Sequence, residues 1–163
     1  MYPFTPFNLD ALGAVSRELA CAVFQVFPEF AEHATMHQAH EEDGLSLYIY
    51  IPSPTGLEER ALSLIIEEPE SGEITLDFGP CHVHPFMFGD DLSVLVEWLA
   101  AILDDEVLVA VEWGPEGGWC GEWIDMRDAD QLEDYLTHPF NTGRAELISW
   151  SGKADRVVTT DTY

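Results

Sequence analysis

The residues able to do chemistry in this 163-residue chain are its six histidines, its three cysteines and a large excess of carboxylates. His33, His37 and His40 stand at i, i+4 and i+7, so a helix through them would carry three imidazoles on one face. Imidazoles at i and i+4 suit zinc, with ring nitrogens about 2.0–2.1 Å from the ion. Glu32, Glu41 and Asp43 are near enough in sequence to add oxygen ligands. The metalloprotease pattern H-E-x-x-H is absent, because the stretch reads His33-Ala-Thr-Met-His37. A second group, Cys81-His-Val-His84, lies between Pro80 and Pro85. In an extended backbone His82 and His84 share one face, and Cys81 takes the other. Two histidines so placed could bind a metal or exchange protons near neutral pH. His33, His37, His40, His82 and His84 thus support one reading, a metal-binding protein or metal-dependent enzyme using zinc. The plainer reading of the same residues is a solvated polar face and a proline-flanked edge strand.

Nucleophilic catalysis finds little support. There is no G-x-S-x-G, and no cysteine sits among basic residues that would lower its thiol pKa. Cys81 neighbours His82, but adjacent strand residues point to opposite sides. Cys21, Cys81 and Cys120 are odd in number and widely spaced, which points to reduced thiols and a cytoplasmic setting. Cys21 falls in an apolar helical pattern and reads as a small core residue. Met1–Phe7 has no basic segment, so no signal peptide is expected.

The carboxylates speak more loudly. Thirty-one acidic residues against six basic ones give a formal net charge of −25. Phosphate contacts need Lys and Arg, so nucleic-acid binding is nearly excluded, and an anionic membrane surface is disfavoured for the same reason. No apolar run approaches the roughly 18 residues of a membrane span. A field of this sign steers basic partners. Asp104, Asp105 and Glu106 follow a helix C-terminus, where negative charge opposes the helix dipole, which hints at a use other than stability. Glu112 and Glu122 are interleaved with Trp113, Trp119 and Trp123, and aromatic anchors ringed by charge are what a protein-binding patch contains. Asp104, Asp105, Glu106, Glu112, Trp119, Glu122 and Trp123 are therefore the candidate binding residues for a basic protein. Trp113 shares a face with Val107, Val109 and Val111, so a core role is open for the tryptophans too.

The pattern of elements must position these groups. Leu12, Val15, Leu19, Val23, Val26 and Phe30 form one apolar stripe, predicting a helix over residues 10–27, capped by Asn8 or Asp10 and stopped at Pro28. Strands are predicted over 45–51, 61–67 and 73–78, the last with Ile74, Leu76 and Phe78 inward and Glu73, Thr75 and Asp77 towards water. Residues 91–103 form the clearest helix, with Asp90 as N-cap. Strands at 106–113 and 119–126, a short helix over 128–136 capped by Asp128, and a hairpin of 144–150 with 155–160 complete the chain. Gly152 is the natural residue for a positive φ in that last turn, and Trp150 burial should anchor it. No linker or internal repeat interrupts residues 1–163, so one domain is expected. Its class is α+β, with a mainly antiparallel sheet of about six or seven strands packed against two main helices.

Glu73-Ile-Thr-Leu-Asp-Phe-Gly79, Cys81-His-Val-His-Pro-Phe86, the helix and Val-rich strand that follow, and Leu147-Ile-Ser-Trp-Ser-Gly-Lys-Ala-Asp155 resemble a pattern in small acidic bacterial proteins. Several such families are regarded as immunity proteins of polymorphic toxin systems. The resemblance spans about residues 73–158. It implies a non-enzymatic, cytoplasmic binding protein that neutralises a basic toxin domain, and it transfers no catalytic residue and no cofactor.

Overall fold

A computed structural model describes residues 5–38, 44–68, 73–79, 81–86, 91–113, 119–137 and 144–159. Its elements run β1 (Thr5–Pro6), α1 (Ala14–Val26), β2 (Ala34–His37), β3 (Ser46–Ile51), β4 (Leu62–Glu68), β5 (Glu73–Phe78), β6 (Cys81–Phe86), α2 (Leu92–Leu103), β7 (Val107–Trp113), β8 (Trp119–Asp125), α3 (Ala129–Thr137), β9 (Arg144–Ile148) and β10 (Arg156–Thr159). The α+β class is as expected, but the single sheet with two helices is not. Among the described residues the strands form two sheets, ordered β1-β2-β3-β4-β5-β6 and β10-β9-β7-β8, with three α-helices. The chain divides into two compact units. The first contains Met1–Pro52, Ala61–Asp77 and His82–Glu97, and the second contains Ser53–Arg60, Phe78–Cys81 and Trp98–Tyr163. No helix among the described residues is long and apolar enough to cross a membrane.

In the first unit, α1 buries Leu19, Ala20 and Val23 beside Ser16, and Leu12 and Phe30 are buried beyond its two ends. Val26 leaves the predicted stripe and is 53% exposed, because the chain turns out of the helix at Phe27. Pro28 has no N–H to continue the ladder and instead opens a 3-10 turn through His33. Cys21 is exposed, against the core reading. One residue past the buried Ala20, it is rotated about 100° away from the apolar stripe. Asn8 caps a short 3-10 turn at Leu9–Ala11 by accepting from the Asp10 N–H at 3.1 Å, whereas α1 itself starts from Gly13.

A parallel bridge joins Leu12 to Leu45, with the Gly13 N–H donating to Leu45 O and the Leu45 N–H to Ala11 O. The backbones approach so closely there that a Cβ on Gly44 would overlap the Gly13 amide. In the sheet, alternation buries Leu47, Ile49 and Ile51 of β3, Leu62, Leu64 and Ile66 of β4, and Ile74, Leu76 and Phe78 of β5. The opposite face is covered in part: Thr75, predicted to meet water, is 2% exposed. On that face the Ser63 hydroxyl donates to Asp77 Oδ2 at 3.0 Å.

In the second unit, β7 is buried from Val107 to Val111, so both faces of its sheet are covered. On one face Leu108, Ala110, Ile124 and Leu147 form a core against which Leu132 and Tyr135 of α3 pack. On the other, Phe78 and Trp98 meet Trp123. The α2 stripe is buried at Leu99 and Ile102 in this unit and at Leu95 in the first, where the N-cap Asp91 accepts from the Ser93 N–H through Oδ1 at 2.9 Å. The predicted cap Asp90 lies outside the described residues. Asp128 caps α3 as expected, accepting from the Asp130 and Gln131 amides.

Candidate functional site

The helical face of three histidines is not formed. His33 closes the 3-10 turn and is exposed, and His37 lies in β2, paired in register with Ser46. A strand has a two-residue period, so spacing of four no longer builds a helical ligand pair. His40, Glu41 and Asp43 lie outside the described residues. Cys81–Phe86 forms the terminal strand β6, which the expected order of elements did not include, while the side chains of His82 and His84 lie outside the described residues. Among the described residues no three His, Cys, Asp or Glu side chains are grouped to hold a metal ion.

The acidic candidates separate into two kinds. Asp105 has φ +58°, the left-handed conformation that ends α2. The Asp105 N–H donates to Ile102 O at 3.0 Å and the Glu106 N–H to Ala101 O at 2.8 Å, the paired bonds of a Schellman ending. Asp tolerates this conformation better than most residues, though glycine is the common choice. Its carboxylate accepts from the Ser151 N–H at 2.8 Å and from the Ser151 hydroxyl. Asp105 therefore binds the chain's own terminal loop. Asp104 and Glu106 stay exposed beside it, and Glu122 is exposed on β8. Glu112 is half-buried and accepts from the Tyr135 hydroxyl at 3.4 Å.

Trp123 is partly buried. Register pairs it with Val109, on the face where Phe78 lies edge-on at 6.0 Å and Trp98 is tilted at 5.9 Å between ring centroids. It is a packing residue within the second unit. Trp119 pairs with Trp113 at the far end of the same ladder, and both side chains lie outside the described residues, as does the connecting loop of residues 114–118.

One polar cluster had no signal in the sequence. The connection Ser149–Asp155 is held by Arg60, whose Nη2 donates to Asp155 Oδ2 at 2.6 Å and whose Nη1 donates to Ser149 O at 3.1 Å. Asp155 Oδ1 accepts from the Ser149 N–H at 2.8 Å and hydroxyl at 3.1 Å, and the Ser53 hydroxyl donates to Trp150 O at 2.7 Å. Burial alone would raise the Asp155 carboxyl, but the bonds from Arg60 and Ser149, with the Arg60 charge, together hold it below the ordinary carboxylate range. Gly152 has the expected positive φ, +78°. Trp150 is half-buried, and its indole N–H finds no acceptor among the described residues, so the loop leans on this polar clasp as well as on the ring.

Four of the six cations have oxygen partners within the chain, while Lys153 and Arg156 are exposed. Arg17 donates to Leu12 O, Arg60 to Asp155, Arg127 to Asp125 through two nitrogens, and Arg144 to Glu146. What this surface can do chemically is attract positive charge. Comparison with family models, curated proteins and solved structures finds no match.

Proposed function

We propose that this chain is a non-enzymatic, cytoplasmic binding protein that recognises a basic protein, in the manner of an immunity protein that neutralises a toxin domain. The observation that supports this reading is the division of charge. The arginines just named are paired with oxygens of the chain itself, while Asp104, Glu106 and Glu122 of the second unit are exposed in a chain of net charge −25. Such a surface repels nucleic acid and anionic lipid and accelerates encounter with a cationic protein. Occluding the anion-binding site of a toxin would need no catalytic group on this side of the complex.

The test is capture from the cells that make the chain, at low and at high salt. A specific basic protein retained at low salt and released at high salt supports the reading, and its toxicity should be relieved by co-expression. A neutral or acidic partner, or recovery of no specific partner at low salt, contradicts it.

A further inference from the structure

Among the described residues four strands end the two sheets: β1 and β6 in one, β10 and β8 in the other. Natural sheets protect such edges with short strands, prolines and cationic side chains. β1 is two residues with Pro6, β6 contains Pro85, and β10 is four residues opening on Arg156. β8 runs seven residues, Trp119–Asp125, with no proline and no cation. The ladder fixes which of its main-chain groups face away from β7. The Met126 N–H donates to Glu106 O at 2.7 Å, whereas the Asp125 N–H turns the other way, to Gln131 Oε1 at 2.7 Å. Outward and inward positions alternate along an antiparallel strand, so Gly121, four residues from Asp125, also directs its N–H and C=O outward. Gly121 is exposed and has no side chain to shield these groups.

The charge beside this edge is negative. Glu122 adjoins Gly121 and lies on the face of the sheet that α3 covers, and α3 carries the exposed acids Asp130 and Glu133. A second copy of the chain would bring its own −25 to the same edge, so self-pairing is opposed. We infer that the outer edge of β8, centred on Gly121, accepts an extended segment with alternating Lys or Arg from a partner protein as an added strand. The main chain would supply affinity and the carboxylates the preference for cations. This rests on the reading that the chain binds a basic protein.

The experiment uses the full chain and a fluorescent nonapeptide of alternating lysine and valine. Its control is the same peptide N-methylated at every residue, which keeps each charge and donates no main-chain hydrogen bond. The expected result at low salt is binding at least about tenfold tighter for the unmethylated peptide, with slowed amide exchange at Gly121 in the complex. Gly121→Pro should abolish that difference without lowering the melting temperature, since proline is tolerated where the lost N–H faces solvent. Equal binding of both peptides, or unchanged exchange at Gly121, would overturn the edge assignment and leave the basic-partner reading intact. Binding of neither peptide would overturn the assignment and count against that reading as well.

Discussion

Replacing Asp155 with alanine tests whether the clasp holds the terminal loop. The substitution removes the acceptor of three bonds, from the Ser149 N–H, the Ser149 hydroxyl and Arg60 Nη2. Ser149 is fully buried, so its amide and hydroxyl lose their partner where water does not replace it, at about 1–3 kcal/mol. Arg60 keeps its bond to Ser149 O, and with the pair partly exposed, at 15% and 33%, its share is about 1 kcal/mol or less. The sum, about 3 kcal/mol, corresponds to a fall of about 6–12 °C in melting temperature for a chain of this size. Asp155→Asn should recover part of the loss, because one oxygen can still accept from Ser149. The control is Glu146→Ala, which breaks the far more exposed Arg144–Glu146 pair, at 60% and 40%, and should change stability by no more than about 0.5 kcal/mol. Thermal unfolding followed by circular dichroism measures all three. Equal melting temperatures for Asp155→Ala and Glu146→Ala would refute the clasp.

Asp105→Ala should cost about 2–3 kcal/mol through backbone strain and lost Ser151 bonds, and Asp105→Gly less, because glycine accepts the positive φ; urea midpoints would rank them. Trp123→Ala should destabilise by about 3–5 kcal/mol while Glu122→Ala leaves the urea midpoint unchanged, and the reverse order would restore Trp123 as a surface anchor. The Asp155 carboxyl is depressed in the folded chain, so its stabilisation is present above the ordinary carboxylate pKa and is lost as pH falls through the lowered value. Wild type and Asp155→Asn should therefore converge in stability as pH falls through that lowered value, which a pH series of melting curves would show. Burial raises the Tyr48 phenol above its ordinary value. Ultraviolet titration should find Tyr48→Phe missing a late-ionising tyrosine.

Regular alternation and 3.6-residue periodicity were enough to read β3, β5, α2 and α3 within a residue or two. They say that a segment is a strand, not which strand it joins, so similar patterns on either side of α2 merged into one expected sheet. β1 and β2 were hidden because two and four residues are too short for a period to show. The histidine spacing misled for a related reason. A step of four marks a helix face only where the backbone continues as a helix, and Pro28 had already diverted it into a 3-10 turn. Trp123 could have been placed by its shared face with Val109, had the register been known. Asp105 carried half a signal, an acid at a helix end where the dipole disfavours it, but the answer lay in Ser151, 46 residues away. Arg60 and Asp155 are 95 residues apart, and only the folded chain brings them together.

Charge on the second unit is proposed to select a basic protein. The most direct test of that selection is calorimetric titration of the captured partner across a salt series, with wild type and the double variant Glu106→Lys, Glu122→Lys. Affinity should weaken at least about tenfold from low to high salt, and the double variant should bind at least about tenfold more weakly at low salt with an unchanged melting temperature. Affinity indifferent to both salt and charge reversal would contradict it.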